Sequence, residues 1–163
     1  MYAIVAVSLN FVISYKNKLP WNIPLDAEFF YSMIRGQNVI IGRKSFENIE
    51  IHPENNYYIF SKNKNYEILS NEFNNIKIFH DFQEINSIKN NKEIWICGGR
   101  QIYDEFLFSC STLYLTIIKK FFMGDVFFDK NYENFFYLER NIFENEDIKI
   151  LIFKNKRLFN ISL

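Results

Sequence analysis

The stretch Glu93-Ile94-Trp95-Ile96-Cys97-Gly98-Gly99-Arg100-Gln101-Ile102-Tyr103-Asp104-Glu105-Phe106-Leu107 reads as a strand, a glycine pair and a helix with nothing between them. Glu93 to Cys97 is apolar enough for a strand buried in a sheet, and Arg100 to Leu107 has the composition of a short helix. Gly98 and Gly99 have no side chains, so the backbone there can approach a pyrophosphate closely. The spacing is not the GxGxxG fingerprint, and a plain strand-to-helix turn explains it equally well.

The same alternation extends outward. Ile4 to Leu9 suits a central strand buried on both faces. Asn10 to Ile23 is expected as a long irregular loop holding one of the three prolines, Pro20, with a second, Pro24, directly after it. Pro24 is tolerated in a first helical turn, so Leu25 to Arg35 is expected as a helix that Gly36 ends. Further strands are expected at Asn38–Gly42, Tyr57–Ser61, Ile76–Phe79 and Leu113–Lys119, and helical turns at Arg43–Ile49. Asp81 suits an N-cap for a helix running to Lys89. The tail from Phe135 to Phe153 carries two apolar stretches around Asn145-Glu146-Asp147, the pattern of an antiparallel hairpin. Strands that alternate with helices imply an α/β fold: a central, mostly parallel sheet flanked by helices, closed by the C-terminal hairpin. Ligands in such sheets sit at the carboxyl ends of the strands.

Composition narrows the function classes. The 163 residues suit one domain over 1–163, and a 48% apolar content with 19% aromatics excludes a disordered chain. Nineteen basic against nineteen acidic residues argue against a dedicated nucleic-acid binder, which needs a basic face. No apolar run is long enough to span a membrane, and Met1 to Leu9 reads as a strand rather than a signal peptide. Cys97 and Cys110 lack the paired spacing of a zinc site, so no metal is expected and reduced thiols in the cytoplasm are the plain reading.

Two further segments carry possible chemistry. In Leu19-Pro20-Trp21-Asn22-Ile23-Pro24-Leu25-Asp26-Ala27-Glu28-Phe29-Phe30, Asp26 and Phe30 are i and i+4 and share a helix face. A carboxylate among Phe side chains is costly to bury and would have a raised pKa. The alternative is an acid that only decorates the first helical turn. In Ile40-Ile41-Gly42-Arg43-Lys44-Ser45-Phe46-Glu47, a strand runs into two cations and a hydroxyl at a helix start, where anions bind. Solvated charges on an ordinary turn are the alternative there.

None of these segments decides alone, but their order along the chain resembles the dihydrofolate reductase family. The N-terminal strand with Ala6, the LPWNIP–Asp26–Phe30 segment, IGRKSFENI, CGGRQIYDEFL, LYLT and Gly124-Asp125 fall in the family's order over nearly the whole chain. The resemblance implies hydride transfer from NADPH to C6 of 7,8-dihydrofolate, giving tetrahydrofolate. Asp26 matches the acid that holds the pterin and assists protonation of N5. Ile4, Ala6, Phe30, Ile49, Cys97, Tyr103 and Thr116 match the substrate pocket, with Thr116 joined to the Asp26 network. Trp21 and Leu19 match the loop that closes over the nicotinamide. Arg43, Lys44 and Ser45 match positions that receive NADPH phosphates, and Ser61 and Lys62 those near the adenosine 2′-phosphate. Ala6, Ile13, Lys18, Gly42, Arg100, Gln101, Ile102 and Tyr103 complete the implied cofactor side. Gly98 and Gly99 match a glycine pair joined by a cis peptide. A small-molecule folate or pterin is the implied partner of a cytoplasmic monomer, with no nucleic acid and no membrane.

Two departures stand out. The family's arginine for the glutamate α-carboxylate is absent from Ile51-His52-Pro53-Glu54-Asn55-Asn56-Tyr57, where Asn55 or Asn56 takes its place. Ser14 stands where the family often has Gly. These departures keep two alternatives open: a reductase of a pterin without a glutamate tail, and a nucleotide-binding module without catalysis.

Overall fold

The computed structural model describes residues 1–67, 73–88 and 91–158. Its main sheet has eight strands: β1 (Tyr2–Ser8), β3 (Asn38–Gly42), β4 (Asn56–Phe60), β5 (Ile76–Phe79), β6 (Ile94–Ile96), β7 (Thr112–Ile118), β9 (Phe136–Glu144) and β10 (Ile148–Asn155). Their order is β5-β4-β3-β6-β1-β7-β10-β9. Every pairing from β5 across to β7 is parallel, and β10 then pairs antiparallel with both β7 and β9. The mostly parallel sheet and the C-terminal hairpin are as the sequence implies.

β1 shows how the sheet is built. Its side chains alternate between two cores, as a period of two requires. Ala3, Val5 and Val7 join Ile102, Phe106 and Leu107, from helix α3 (Arg100–Phe106) and the turn after it, on one face. Ile4 joins Ile34 of helix α1 (Pro24–Ile34) on the other. Both faces are covered, so the strand is continuously apolar. Helix α1 starts at Pro24, with no side-chain cap on Ile23, and Gly36 beyond its end has φ +73°. A left-handed residue there turns the chain back into β3.

Two expectations change, and one element is added. The loop from Asn10 to Ile23 contains a short strand, β2 (Val12–Ser14), which pairs with β8 (Val126–Phe127) in a separate two-stranded sheet. The segment after Asp81 is 3₁₀ over Phe82–Ser87 rather than an α-helix. Asp81 does cap it, through a capping box with Glu84. Lys89, the expected end of that helix, lies outside the described residues. Finally, Tyr132–Phe135 forms a helical turn, α4, just before β9.

Candidate active site

The carboxyl ends of β1, β3, β6 and β7 open onto one cavity of about 280 Å³. Register places its floor: Ala6 of β1 lies opposite Thr116 of β7, and both line the cavity. Helix α1 forms one wall with Asp26, Ala27, Phe30 and Tyr31. The opposite wall is Ser45, Asn48 and Ile49, from α2 (Arg43–Phe46) and the turn beyond it, together with Cys97, Gly98, Gly99 and Tyr103. The segment from Ile13 to Ile23 closes the remaining side through Ile13, Ser14, Asn17, Lys18, Leu19 and Trp21. Its backbone is held in place: Lys16 N–H donates to Asp125 Oδ2, Asp125 N–H to Ser14 O, and Asn48 Nδ2 to Asn17 O. Lys16 and Asn17 have positive φ, so the chain turns sharply here without glycine.

Asp26 is 8% exposed, the one carboxylate among the buried residues described. Burial pushes its pKa above the ordinary carboxylate range, and the nearby Thr116 hydroxyl and Trp21 indole partly offset that. Trp21 itself is buried against Ile118, Ile148 and Ile150, and its Nε1–H makes no direct hydrogen bond among the described residues. A desolvated acid beside a buried indole N–H is a costly arrangement for packing alone, and it suits recognition of a polar heterocycle.

The glycine pair forms the other pole. Gly98 and Gly99 are joined by a cis peptide. Gly42 N–H donates to Gly98 O at 2.6 Å, which ties the end of β3 to this turn. A Cβ on Gly98 would stand 2.7 Å from the Tyr103 ring, and one on Gly99 3.0 Å from Ser45 Oγ. Two helix starts therefore meet across bare backbone, a cradle that side chains would fill. Tyr103 is fixed by a hydrogen bond from its hydroxyl to Ile4 O at 2.7 Å and by edge-on packing on Phe128.

Other expected residues lie away from the cavity. Arg43 donates to Glu47 and lies over the Tyr66 ring, while Lys44 is exposed. Ser61 is buried at the end of β4, its carbonyl accepting from His80 Nδ1, and Lys62 is exposed. Arg100 turns from the cavity to Asp104, Asp129 and the Phe127 carbonyl. Gln101 is exposed, and Ile102 is core, within 3.5 Å of a Cβ built on Gly42.

The reading from sequence passed over Tyr31 and Ala27, which line the cavity with Asp26 and Phe30. Helical spacing gives the signal: Ala27 and Tyr31 are i and i+4 on the neighbouring stripe. In the stretch that lacks the family's arginine, Asn55 is 1% exposed and fully engaged, accepting from Gly36 N–H at 2.6 Å and donating to the Tyr57 hydroxyl at 3.0 Å.

Comparison with known proteins agrees with this geometry. A family model described as dihydrofolate reductase matches residues 1–156. Dihydrofolate reductase of Buchnera aphidicola subsp. Acyrthosiphon pisum (strain APS) is 39% identical over 128 residues, covering 77% of this chain and 76% of that protein. Dihydrofolate reductase of Mycoplasma genitalium (strain ATCC 33530 / DSM 19775 / NCTC 10195 / G37) is 29% identical over 161 residues, 96% of this chain and 99% of that protein. Among solved structures, an Enterococcus faecalis dihydrofolate reductase complexed with NADP(H) and RAB-propyl shares the fold with a TM-score of 0.80, at 23% identity over 94% of this chain and 95% of that one. With its buried acid facing a glycine cradle across the strand ends, and a family match over nearly its whole length, the chain belongs to the dihydrofolate reductase family.

Proposed function

We propose that this protein reduces 7,8-dihydrofolate to 5,6,7,8-tetrahydrofolate with NADPH. The observation that carries the reading is Asp26: a desolvated carboxyl on the α1 wall of the cavity, opposite a backbone cradle that a cofactor can enter. Bound NADPH supplies the hydride that goes to C6 of the pterin. The residues of the chain do the rest. Asp26 accepts hydrogen bonds from the pterin 2-amino group and N3, and its raised pKa suits it to assist protonation of N5. Thr116 steadies the carboxyl. Ile4, Ala6, Phe30, Ile49 and Cys97 enclose the pterin with apolar surface. Trp21, Leu19, Lys18 and Ile13 shield the reacting atoms from water. Gly98, Gly99 and Tyr103 give the nicotinamide half its seat. Gly42, Arg43, Lys44 and Ser45 are the proposed phosphate side, with Arg100, Gln101 and Ile102 at the start of α3. Ser61 and Lys62, at the ends of the same parallel strands, are the proposed 2′-phosphate contacts. We further propose that residues 1–163 act as one domain and as a cytoplasmic monomer with no nucleic-acid or membrane partner; the balanced charge supports the absence of a nucleic-acid partner.

The test follows NADPH oxidation with 7,8-dihydrofolate in the wild type and in Asp26→Asn. The variant is expected to lose about 10²-fold or more in kcat/KM, the usual scale for a proton-transfer group. An Asp26→Asn enzyme with full activity would remove Asp26 from the mechanism.

A further inference from the structure

This inference rests on the proposed reduction of dihydrofolate and concerns the other end of the substrate. Dihydrofolate carries a glutamyl tail with two carboxylates, held away from the pterin by a p-aminobenzoyl group. Phe30, Tyr31 and Ile49 line the cavity beside Asp26; with the pterin at Asp26 and the cofactor at the glycine pair, they are the lining left for the tail. That path follows α1 toward its C-terminal end. Among the described residues lining the cavity, the cation is Lys18, which sits on the segment before α1, on another side. Asn55, at the position of the family's arginine, is buried and spends both ends of its amide on the protein.

We infer that Arg35, the C-cap residue of α1, anchors the tail carboxylate of the substrate. Ala27, Tyr31 and Arg35 are spaced i, i+4 and i+8, so they form one stripe along the helix. The first two already line the cavity, and Arg35 continues the stripe one turn beyond Tyr31. Asp26 and Arg35 are nine residues apart, about 13.5 Å along a helix axis. The extended p-aminobenzoyl bridge covers that separation. The guanidinium is solvent-facing, with 75% of its side chain exposed, and its Nε is 2.9 Å from Glu54 Oε1. An exposed ion pair of this kind holds little net energy, so a substrate carboxylate can take the place of Glu54. A guanidinium also offers a carboxylate two parallel N–H donors, which a single Nε contact does not use. Glu54 thus serves as a stand-in for the tail and as its competitor.

The experiment compares kcat/KM for 7,8-dihydrofolate with that for 6-methyl-7,8-dihydropterin, which has the same reacting ring and no tail. Wild type, Arg35→Gln, Glu54→Gln and His52→Gln are each measured, with circular dichroism to check folding. Arg35→Gln is expected to lower the dihydrofolate-to-dihydropterin ratio about tenfold or more, through KM rather than kcat. Glu54→Gln is expected to raise the ratio by freeing the guanidinium. A ratio unmoved by Arg35→Gln overturns the inference, as does a ratio that falls only in His52→Gln, the neighbour that packs on Tyr31. A wild type that treats both substrates alike overturns it while leaving the pterin chemistry standing. A wild type that reduces neither removes the functional reading and this inference together.

Discussion

Gly98→Ala is the substitution whose cost the structure defines best. The new Cβ would stand 2.7 Å from Tyr103 Cε2 and 2.9 Å from both Cζ and the hydroxyl oxygen. Ordinary carbon contacts lie at about 3.5–4.0 Å, so the ring or the turn must move. The ring has little room: it is 6% exposed, edge-on to Phe128 at 5.3 Å, and its hydroxyl donates to the Ile4 carbonyl. Overpacking of this kind costs about 1–3 kcal/mol. Gly98 also has φ +86°, which for an L-residue adds about 1–2 kcal/mol. The expected total is about 2–5 kcal/mol, a large share of the ~5–15 kcal/mol that holds a typical domain. Urea unfolding of wild type, Gly98→Ala, Tyr103→Leu and the double variant separates the two contributions. In the Tyr103→Leu background only the backbone share should remain, leaving a coupling of about 1–3 kcal/mol. Equal costs of Gly98→Ala in both backgrounds would refute the steric argument, and a total below about 1 kcal/mol would refute the whole estimate.

Other outcomes follow from burial. Asp26 has its folded pKa raised by desolvation, so the stability linked to its protonation is present below the unfolded pKa and is lost as pH rises through the folded one. Asp26→Asn is therefore expected to raise the melting temperature at neutral pH, with the gain shrinking as the pH falls into the ordinary carboxylate range; a gain independent of pH would contradict this. Burial pushes the Cys97 thiol up and the Cys110 thiol up to about 12, so native protein at mildly alkaline pH should resist iodoacetamide at both positions until urea is added. Rapid stoichiometric alkylation of the folded protein would count against that.

The parts of the fold that were legible in the sequence are those where one strand or helix carries its own signal. β1, β3 and β6 are apolar on both faces because helices cover both, and that shows in the residues themselves. Val12–Ser14 carries no such signal: its strand character comes from β8, more than a hundred residues further along, and no local pattern announces that pairing. At Asp81 the cap was readable, but the 3₁₀ geometry that follows was not; Phe82 there packs against Phe60 and Phe106, contacts that only the tertiary fold brings together. In the site, Asp26 was legible as an acid among aromatics, and the glycine pair as a close approach of backbone. The direction Arg100 takes was not. Its partner Asp104 is one turn away on the same helix, but Asp129 and the Phe127 carbonyl reach it only once β8 is in place. Asn55 was visible as a substitution, whereas its commitment to Gly36 and Tyr57 depends on how the turn before β4 folds back on α1.

The position of β1 has a consequence for how the protein is made. Tyr2 pairs with Trp95 on one side and with Thr112 on the other, and the Met1 carbonyl accepts hydrogen bonds from both the N–H and the hydroxyl of Ser111. A ribosome therefore releases this apolar strand long before either of its neighbours exists. Until β6 emerges β1 has no partner, and until β7 follows it still presents one unpaired edge, the kind of segment that holdase chaperones bind. A nascent chain stalled before Thr112 should consequently be far more prone to aggregate than one stalled after Ile118, and the cavity, whose floor is β1 against β7, cannot form co-translationally ahead of that point.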